Sequence, residues 1–327
     1  MSTDVRSAPA VTERVVAWIK LWRFHFVPLS LSAGLVGMTA PGAGATAASV
    51  VIGLIICVFG YGIGVVINDW FDRHADAVNA PDRPFVTGKV NPHVALGVTV
   101  GLSVLIWVLA IVVAPPLAVW SAVAVGGHLV YTGTKAIPVV GNVVNGIDLA
   151  LFTVIGAAAV RPDAGWLDLP AATVTQTVLI AAVLSGFCLV GYFKDIEGDA
   201  VTGYRTLPVA IGPYRAAWVA PLFPAAAAAV TAGFAATAGD LLGGSGTAAF
   251  WALFLLSCSA FGIGLVKLVR RPQEYAYEAL LWYTRATTLF ILSLGAAVEP
   301  AYFLMAAVPM MAYLEVALWT TRTSRQA

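Results

Sequence analysis

Seven of the chain's seventeen acidic residues fall in two compact groups. The first runs Asn68-Asp69-Trp70-Phe71-Asp72-Arg73-His74-Ala75-Asp76 and continues through Asn79-Ala80-Pro81-Asp82-Arg83-Pro84. The second is Lys194-Asp195-Ile196-Glu197-Gly198-Asp199, leading to Gly203-Tyr204-Arg205-Thr206-Leu207-Pro208. Asp69, Asp72 and Asp76 are spaced by three and then four, and Asn68 lies four before Asp72. A helix through this segment projects all four side chains from one face. Like charges at that spacing repel unless cations neutralise them, and hard oxygen ligands at this density suit Mg²⁺. Asp195 and Asp199 repeat the four-residue interval at the end of an apolar stretch, and Glu197 points elsewhere.

Mg²⁺ binds through one or two carboxylates, water and substrate phosphates in preference to a complete protein cage. Two carboxylate clusters facing each other across a cavity would hold two or three such ions on a diphosphate. Arg73, Arg83, Lys89, Lys135 and Lys194 would complete the clamp. Metal and cations together stabilise the charge growing on a departing pyrophosphate. The chemistry expected is ionisation of an allylic diphosphate whose hydrocarbon tail lies among apolar helices. The plainer alternative is that both groups are solvated loop acids, but their equivalent positions at two helix ends argue against it.

The elements that must position these groups are membrane helices. Of 327 residues, 60% are apolar and 11% charged, against roughly 45–50% and 25% in soluble domains. Long apolar stretches occur at 15–39, 45–68, 94–114, 116–131, 142–160, 173–193, 214–237, 248–268, 279–297 and 301–319. Each is near the length of about 20 residues that crosses a bilayer. Breaks carry turn chemistry at Pro41-Gly42, Pro115-Pro116, 161–170, 239–246 and Glu299-Pro300. Pro115-Pro116 either kinks one helix or separates two.

Lys and Arg concentrate on one side of this arrangement: Arg6, Arg14, Lys20 and Arg23, then Arg73, Arg83 and Lys89, then Lys135, then Lys194, Arg205 and Arg215, then Lys267, Arg270 and Arg271, and last Arg322 and Arg325. Connections on the other side hold only Arg161. The N-terminus and both Asp-rich loops should therefore face the cytoplasm, in the cell inner (plasma) membrane, and with ten spans the C-terminus does too. The net charge of +1 offers no field for nucleic acid. Cys57, Cys188 and Cys258 all lie in apolar stretches, which supports neither a disulfide framework nor a zinc site. No cleavable signal peptide is evident at the N-terminus.

The run Asn68-Asp69-x-x-Asp72-x-x-x-Asp76-x-x-Asn79-x-Pro81-x-Arg83-Pro84 resembles the first signature of the UbiA superfamily of intramembrane prenyltransferases, and Asp195-x-x-x-Asp199 resembles its second. Tyr131-Thr132-Gly133-Thr134-Lys135 with Pro138 and Gly141-Asn142 is similar to the segment after that family's fourth helix, and Arg23 has a family counterpart. The resemblance implies an all-α, polytopic transmembrane bundle of nine to ten helices with a central cavity. It also implies Mg²⁺-dependent binding of a prenyl diphosphate and transfer to a lipophilic acceptor, which we expect to be aromatic. By motif match Asn68, Asp69, Asp72 and Asp76 would bind one metal and Asp195 and Asp199 another. Asp69, Asp72, Asp195 and Asp199 would be catalytic. Arg23, Arg73, Lys135 and Lys194 would contact the diphosphate, with Arg83 shaping its loop.

On this reading residues 1–14 are a cytoplasmic tail, 15–297 the prenyltransferase domain, and 298–327 an extra helix and tail outside the bundle. The 79–84 run and the 203–208 stretch look more like the branches acting on archaeal-type lipids, chlorophyllide or homogentisate than the ubiquinone branch. Candidates for acceptor binding or cation stabilisation are Tyr61, Tyr131, Asn145, Asp148 and Tyr192. An ionisable group inside an apolar stretch, such as Asp148, is costly and by default functional, though with Asn142 and Asn145 it could equally make an interhelical bond. His25 and His128 read as structural. The rivals are a terpene cyclase on the same scaffold, which needs no acceptor, and a transporter, which would place its ionisable groups near the bilayer midplane.

Overall fold

The computed structural model describes residues 11–237 and 247–322, and among these every regular element is a helix. The N-terminal Arg6, the break at 239–246 and Arg325 lie outside the described residues. The elements are α1 (Val11–Leu21), a 3₁₀ turn (Phe24–Phe26), α2 (Val27–Gly37), α3 (Ala47–Asn79), α4 (Pro92–Val113), α5 (Pro115–Thr134), α6 (Val140–Val160) and α7 (Ala171–Gly191). A second 3₁₀ turn (Tyr192–Lys194) leads to α8 (Ile196–Thr202), α9 (Leu207–Ile211), α10 (Pro213–Val219), α11 (Leu222–Ala236), α12 (Ala248–Arg270), α13 (Ala276–Val298) and α14 (Pro300–Arg322). Eight helical segments among the described residues are long and apolar enough to cross a membrane. The protein is an integral membrane protein, and all ten apolar stretches are helical.

The differences from expectation are local. The first stretch is not one helix: Arg23 takes a left-handed backbone at φ 46. That conformation costs a non-glycine residue of order 1–3 kcal/mol, and the charged bond its guanidinium makes to Asp69 at 2.8 Å offsets the cost. The seventh stretch breaks between α10 and α11, where Pro221 supplies no backbone N–H. α7, the helix of the sixth apolar stretch, ends at Gly191, so Asp195 does not sit on it; Asp195 is the N-cap of the separate α8, and Asp199 lies inside that helix. Pro115 occupies the first turn of α5 after an extended Ala114, so the Pro-Pro pair separates two helices.

α3 is the long member. Its 33 residues span about 50 Å at 1.5 Å per residue, well beyond the ~30 Å hydrocarbon layer. Its last turns therefore stand clear of the apolar zone and carry the acidic face as a continuous helix. The interior is built from α2, α3, α6, α7 and α13, which pack on one another, with α12 against α13. α13 is buried along nearly its whole length. α4 instead presents Val98, Leu105 and Val112 outward, an apolar face suited to lipid and costly in water. α14 packs on the outside of α13 and α12. It is held there by paired bonds from Arg285 to Glu315 at 2.5 and 2.7 Å, and by the Tyr313 hydroxyl donating to Phe24 O at 2.9 Å.

Candidate active site

The end of α3 brings its acidic face against cations supplied from three other places. Asp69, 3% exposed, accepts from Arg23 Nη2 at 2.8 Å and from Arg83 Nη1 at 3.2 Å. Arg83 also pairs with Asp76, and Lys135, at the end of α5, pairs with Asp72. Asn68 Nδ2 donates to Asp72 Oδ2 at 2.7 Å. Across from α3, Lys194 Nζ donates to both oxygens of Asp195 at 2.9 Å, and Thr206 donates to Asp199 Oδ2 at 3.0 Å. The two acidic segments touch directly: Gly198 N donates to Asn79 Oδ1 at 2.6 Å. A Cβ on Gly198 would lie 2.4 Å from that amide, so only glycine permits the contact.

Burial and neighbouring charge act together on the titration of several of these groups. Burial lowers the Lys135 ammonium to about 8, although Asp199, Asp195 and Asp69 favour its charge. Burial, with the charge of Asp195 beside it, raises Asp199 to about 6. Burial opposes charge on Arg83 as well, but Asp69, Asp76 and Asp195 together hold its guanidinium above the ordinary value.

These groups form the polar end of a cavity of about 420 Å³ lined by Arg23, Asn68, Asp72, Asp76, Arg83, Lys135, Lys194, Asp195 and Asp199. Its other end is apolar, walled by Phe26, Ile56, Ile63, Val104, Phe152 and Phe187. An anionic head with a hydrocarbon tail matches this division. Among the described residues no three His, Cys, Asp or Glu side chains converge as a complete cage. The donor set is nevertheless entirely hard oxygen, and Asn68 Oδ1 is buried without a partner. That combination fits a cation such as Mg²⁺, which takes a few protein oxygens and completes its shell from phosphate and water.

The sequence profile of the UbiA prenyltransferase family matches residues 29–294. The chain belongs to this family. A digeranylgeranylglyceryl phosphate synthase of Natronomonas pharaonis is 33% identical over 217 residues, 64% of this chain and 74% of that protein. One from Halobacterium salinarum is 38% identical over 173 residues, 51% of this chain and 59% of its own length. Among solved structures, a UbiA homologue from Aeropyrum pernix superposes with a TM-score of 0.64 at 19% identity, covering 86% of this chain and 98% of the other. A homologue from Archaeoglobus fulgidus bound to DMAPP and Mg²⁺ gives 0.56 at 17% identity, covering 86% and 99%. At these identities the structures share the fold.

Within this UbiA prenyltransferase the expected site residues divide. Tyr61, Tyr131, Asn145, Asp148 and Tyr192 line the same cavity as the polar cluster. Asp69 does not; it sits behind the wall and holds Arg23 and Arg83. Arg73 does not line it either: its guanidinium donates to Trp70 O at 2.6 Å and lies 4.9 Å from the Trp70 ring centre. Asn142 donates to Ser185 O at 3.2 Å, an interhelical bond from α6 to α7. Asp148 Oδ2 is 3.2 Å from His128 Nδ1, so it both joins α6 to α5 and faces the cavity.

Three residues in the wall escaped the sequence reading of the site, and a fourth, Arg83, expected among the clamp cations and by resemblance to shape its loop, bridges Asp69 and Asp76. Tyr204 lies under Lys135 with Nζ 4.6 Å from its ring centre. Thr206 and His128 are the others. The Gly203-to-Pro208 run was a usable signal for Tyr204 and Thr206, whereas a lone histidine twenty residues from its partner carried none.

Proposed function

We propose that this protein transfers the prenyl group of an allylic prenyl diphosphate to a hydroxyl on a lipophilic acceptor, with Mg²⁺, releasing pyrophosphate. The carrying observation is one cavity that is carboxylate- and cation-lined at one end and apolar at the other. Asn68, Asp72 and Asp76 on α3, and Asp195 and Asp199 on the opposite wall, would hold the metal. Asp69 acts on the same site by orienting Arg23 and Arg83. Mg²⁺ supplies charge that stabilises the departing pyrophosphate. Arg23, Arg83, Lys135 and Lys194, all cavity-lining, supply the remaining positive charge. The bond from the allylic carbon to the diphosphate oxygen breaks and its electron pair leaves with pyrophosphate. The ring faces of Tyr61, Tyr131 and Tyr192 stabilise the resulting cation, and the apolar wall excludes water that would quench it.

The relatives' name supports an acceptor of glyceryl phosphate type, since their product carries two geranylgeranyl groups on that unit. A hydroxyl nucleophile thus replaces the aromatic one as the favoured reading. We take residues 15–297 as the catalytic unit and α14 as an addition to it, with the acidic end facing the cytoplasm of the inner membrane.

The test is mass spectrometry of products formed by purified protein from a panel of prenyl diphosphates and Mg²⁺, with a geranylgeranylglyceryl phosphate, with aromatic acceptors, or alone. Prenylated glyceryl phosphate and pyrophosphate are expected. A cyclic hydrocarbon or alcohol formed without acceptor would instead identify a cyclase, and absence of pyrophosphate would leave transport. Asp72→Ala and Asp195→Ala should each abolish turnover in protein that remains folded in detergent; full activity in both would remove the carboxylate clusters from the mechanism.

A further inference from the structure

His128 and Asp148 form a buried pair in the cavity wall that the diphosphate clamp does not use. His128 is 9% and Asp148 7% exposed, Nδ1 stands 3.2 Å from Oδ2, and both residues line the cavity. Their remaining polar atoms, His128 Nε2 and Asp148 Oδ1, are buried with no hydrogen-bond partner. The surrounding helices make room for them. A Cβ on Gly64 of α3 would lie 3.0 Å from the imidazole ring, and one on Gly127 of α5 would lie 2.6 Å from Asp148 Oδ1. Gly64 is one turn from Asn68, so the imidazole sits about 6 Å along α3 from the polar end, on its apolar side. A diphosphate held at the polar end would direct its allylic carbon toward this apolar side.

The other carboxylates of the cavity are engaged: Asp72 by Lys135, Asp76 by Arg83, Asp195 by Lys194 and Asp199 by Thr206. The remaining titratable neighbours of the pair are Tyr131 on α5, Cys188 on α7 and Tyr192 beyond it, all weak acids and poor bases at neutral pH. An imidazole whose Nδ1–H is held by a carboxylate has its Nε2 lone pair free, the arrangement that makes histidine a general base.

We infer that His128, oriented by Asp148, takes the proton from the acceptor's hydroxyl. The step balances. The acceptor oxygen bonds to the allylic carbon, the carbon–oxygen bond to the diphosphate breaks with its pair leaving on pyrophosphate, and the hydroxyl proton moves to His128 Nε2. Asp148 stabilises the imidazolium until pyrophosphate or water removes the proton. This rests on the hydroxyl-acceptor reading above, because an aromatic carbon nucleophile would not need a base at that point.

The experiment compares wild type, His128→Gln and Asp148→Asn with a geranylgeranylglyceryl phosphate and with its analogue bearing a thiol in place of the free hydroxyl. General-base catalysis is worth about 10²–10⁴-fold, so both variants should lose at least a hundredfold in kcat on the hydroxyl acceptor. KM for the prenyl diphosphate should stay unchanged in both, and Asp148→Asn, which still offers the imidazole an oxygen, should keep the melting temperature in detergent, so that its loss of kcat is not a loss of fold. The thiol, far more acidic than an alcohol with an ordinary pKa of about 8.5, needs less help from a base and should lose less than tenfold. Variants within threefold of wild type on the hydroxyl acceptor, or equally impaired with both acceptors, would overturn the base assignment alone. Wild-type protein that prenylates only aromatic acceptors would overturn the acceptor reading and this inference with it.

Discussion

At the residue scale, the two arginines that flank the acidic face exchange the roles expected of them. Arg73 follows Asp72 by one position, about 100° round the helix. Spacing alone therefore turns it away from the carboxylates, and it stacks on Trp70. Arg83 returns to the face only because the chain after Asn79 folds back, and no periodicity reports a loop's return. It bridges Asp69 and Asp76 with its side chain 11% exposed. Removing one partner of a buried pair costs roughly 3–5 kcal/mol because the other charge is left uncompensated. Arg83→Met should accordingly lower the melting temperature in detergent markedly and abolish turnover. Arg73→Met should leave both the melting temperature and KM for the prenyl diphosphate within twofold of wild type, and a large rise in that KM would return Arg73 to the diphosphate site. The Asn68, Asp72 and Asp76 face was legible because helical spacing is written in the sequence; its counter-charges could be named, but not which carboxylate each one meets, because they arrive from α5, a loop and a left-handed turn.

At the element scale, what the sequence conveyed was where apolar runs lie, and each of the ten became helix. What it withheld was where helices stop under tertiary demand. Pro221 announces its own break, but Arg23 is a good helix former whose left-handed backbone follows from the partner it reaches on α3. The short α8 is the case that bears on function. It positions Asp195 and Asp199, and it docks on α3 through the Gly198–Asn79 bond. On helix propensity Gly198→Ala should stabilise α8 by about 0.5–1 kcal/mol. The Cβ would meet the Asn79 amide at 2.4 Å, so docking should dominate and the sign should reverse. Thermal unfolding in detergent should show a lower transition for Gly198→Ala, with turnover reduced at least tenfold. A raised transition with full turnover would show that α8 is free of α3.

At the scale of the whole molecule, sidedness follows from counting crossings and placing the acidic end. α1 and α2 together cover one apolar stretch despite the turn at Arg23, and the 20 residues of α5 are just sufficient to cross. Added to the eight long apolar segments, these two give an expected ten crossings within the described residues. An even count puts the start of α1 and the end of α14 on one side. Arg23, Arg83, Lys135 and Lys194 gather at the same end of the cavity, and Lys267, Arg270 and Arg271 close α12, whereas Arg161 is held in an opposing loop by Asp168 at 3.0 Å. Positive charge favours cytoplasmic connections, so the acidic end, α1 and the end of α14 should all be cytoplasmic. A fluorescent protein fused after residue 327 should therefore emit, and alkaline phosphatase fused there should be inactive. Fusions after Val298, before α14, should give the opposite pattern, because they remove one crossing. Active phosphatase at the full-length C-terminus would mean that α14 lies along the membrane surface instead of through it, and that its Arg285–Glu315 clasp holds a peripheral helix against the bundle.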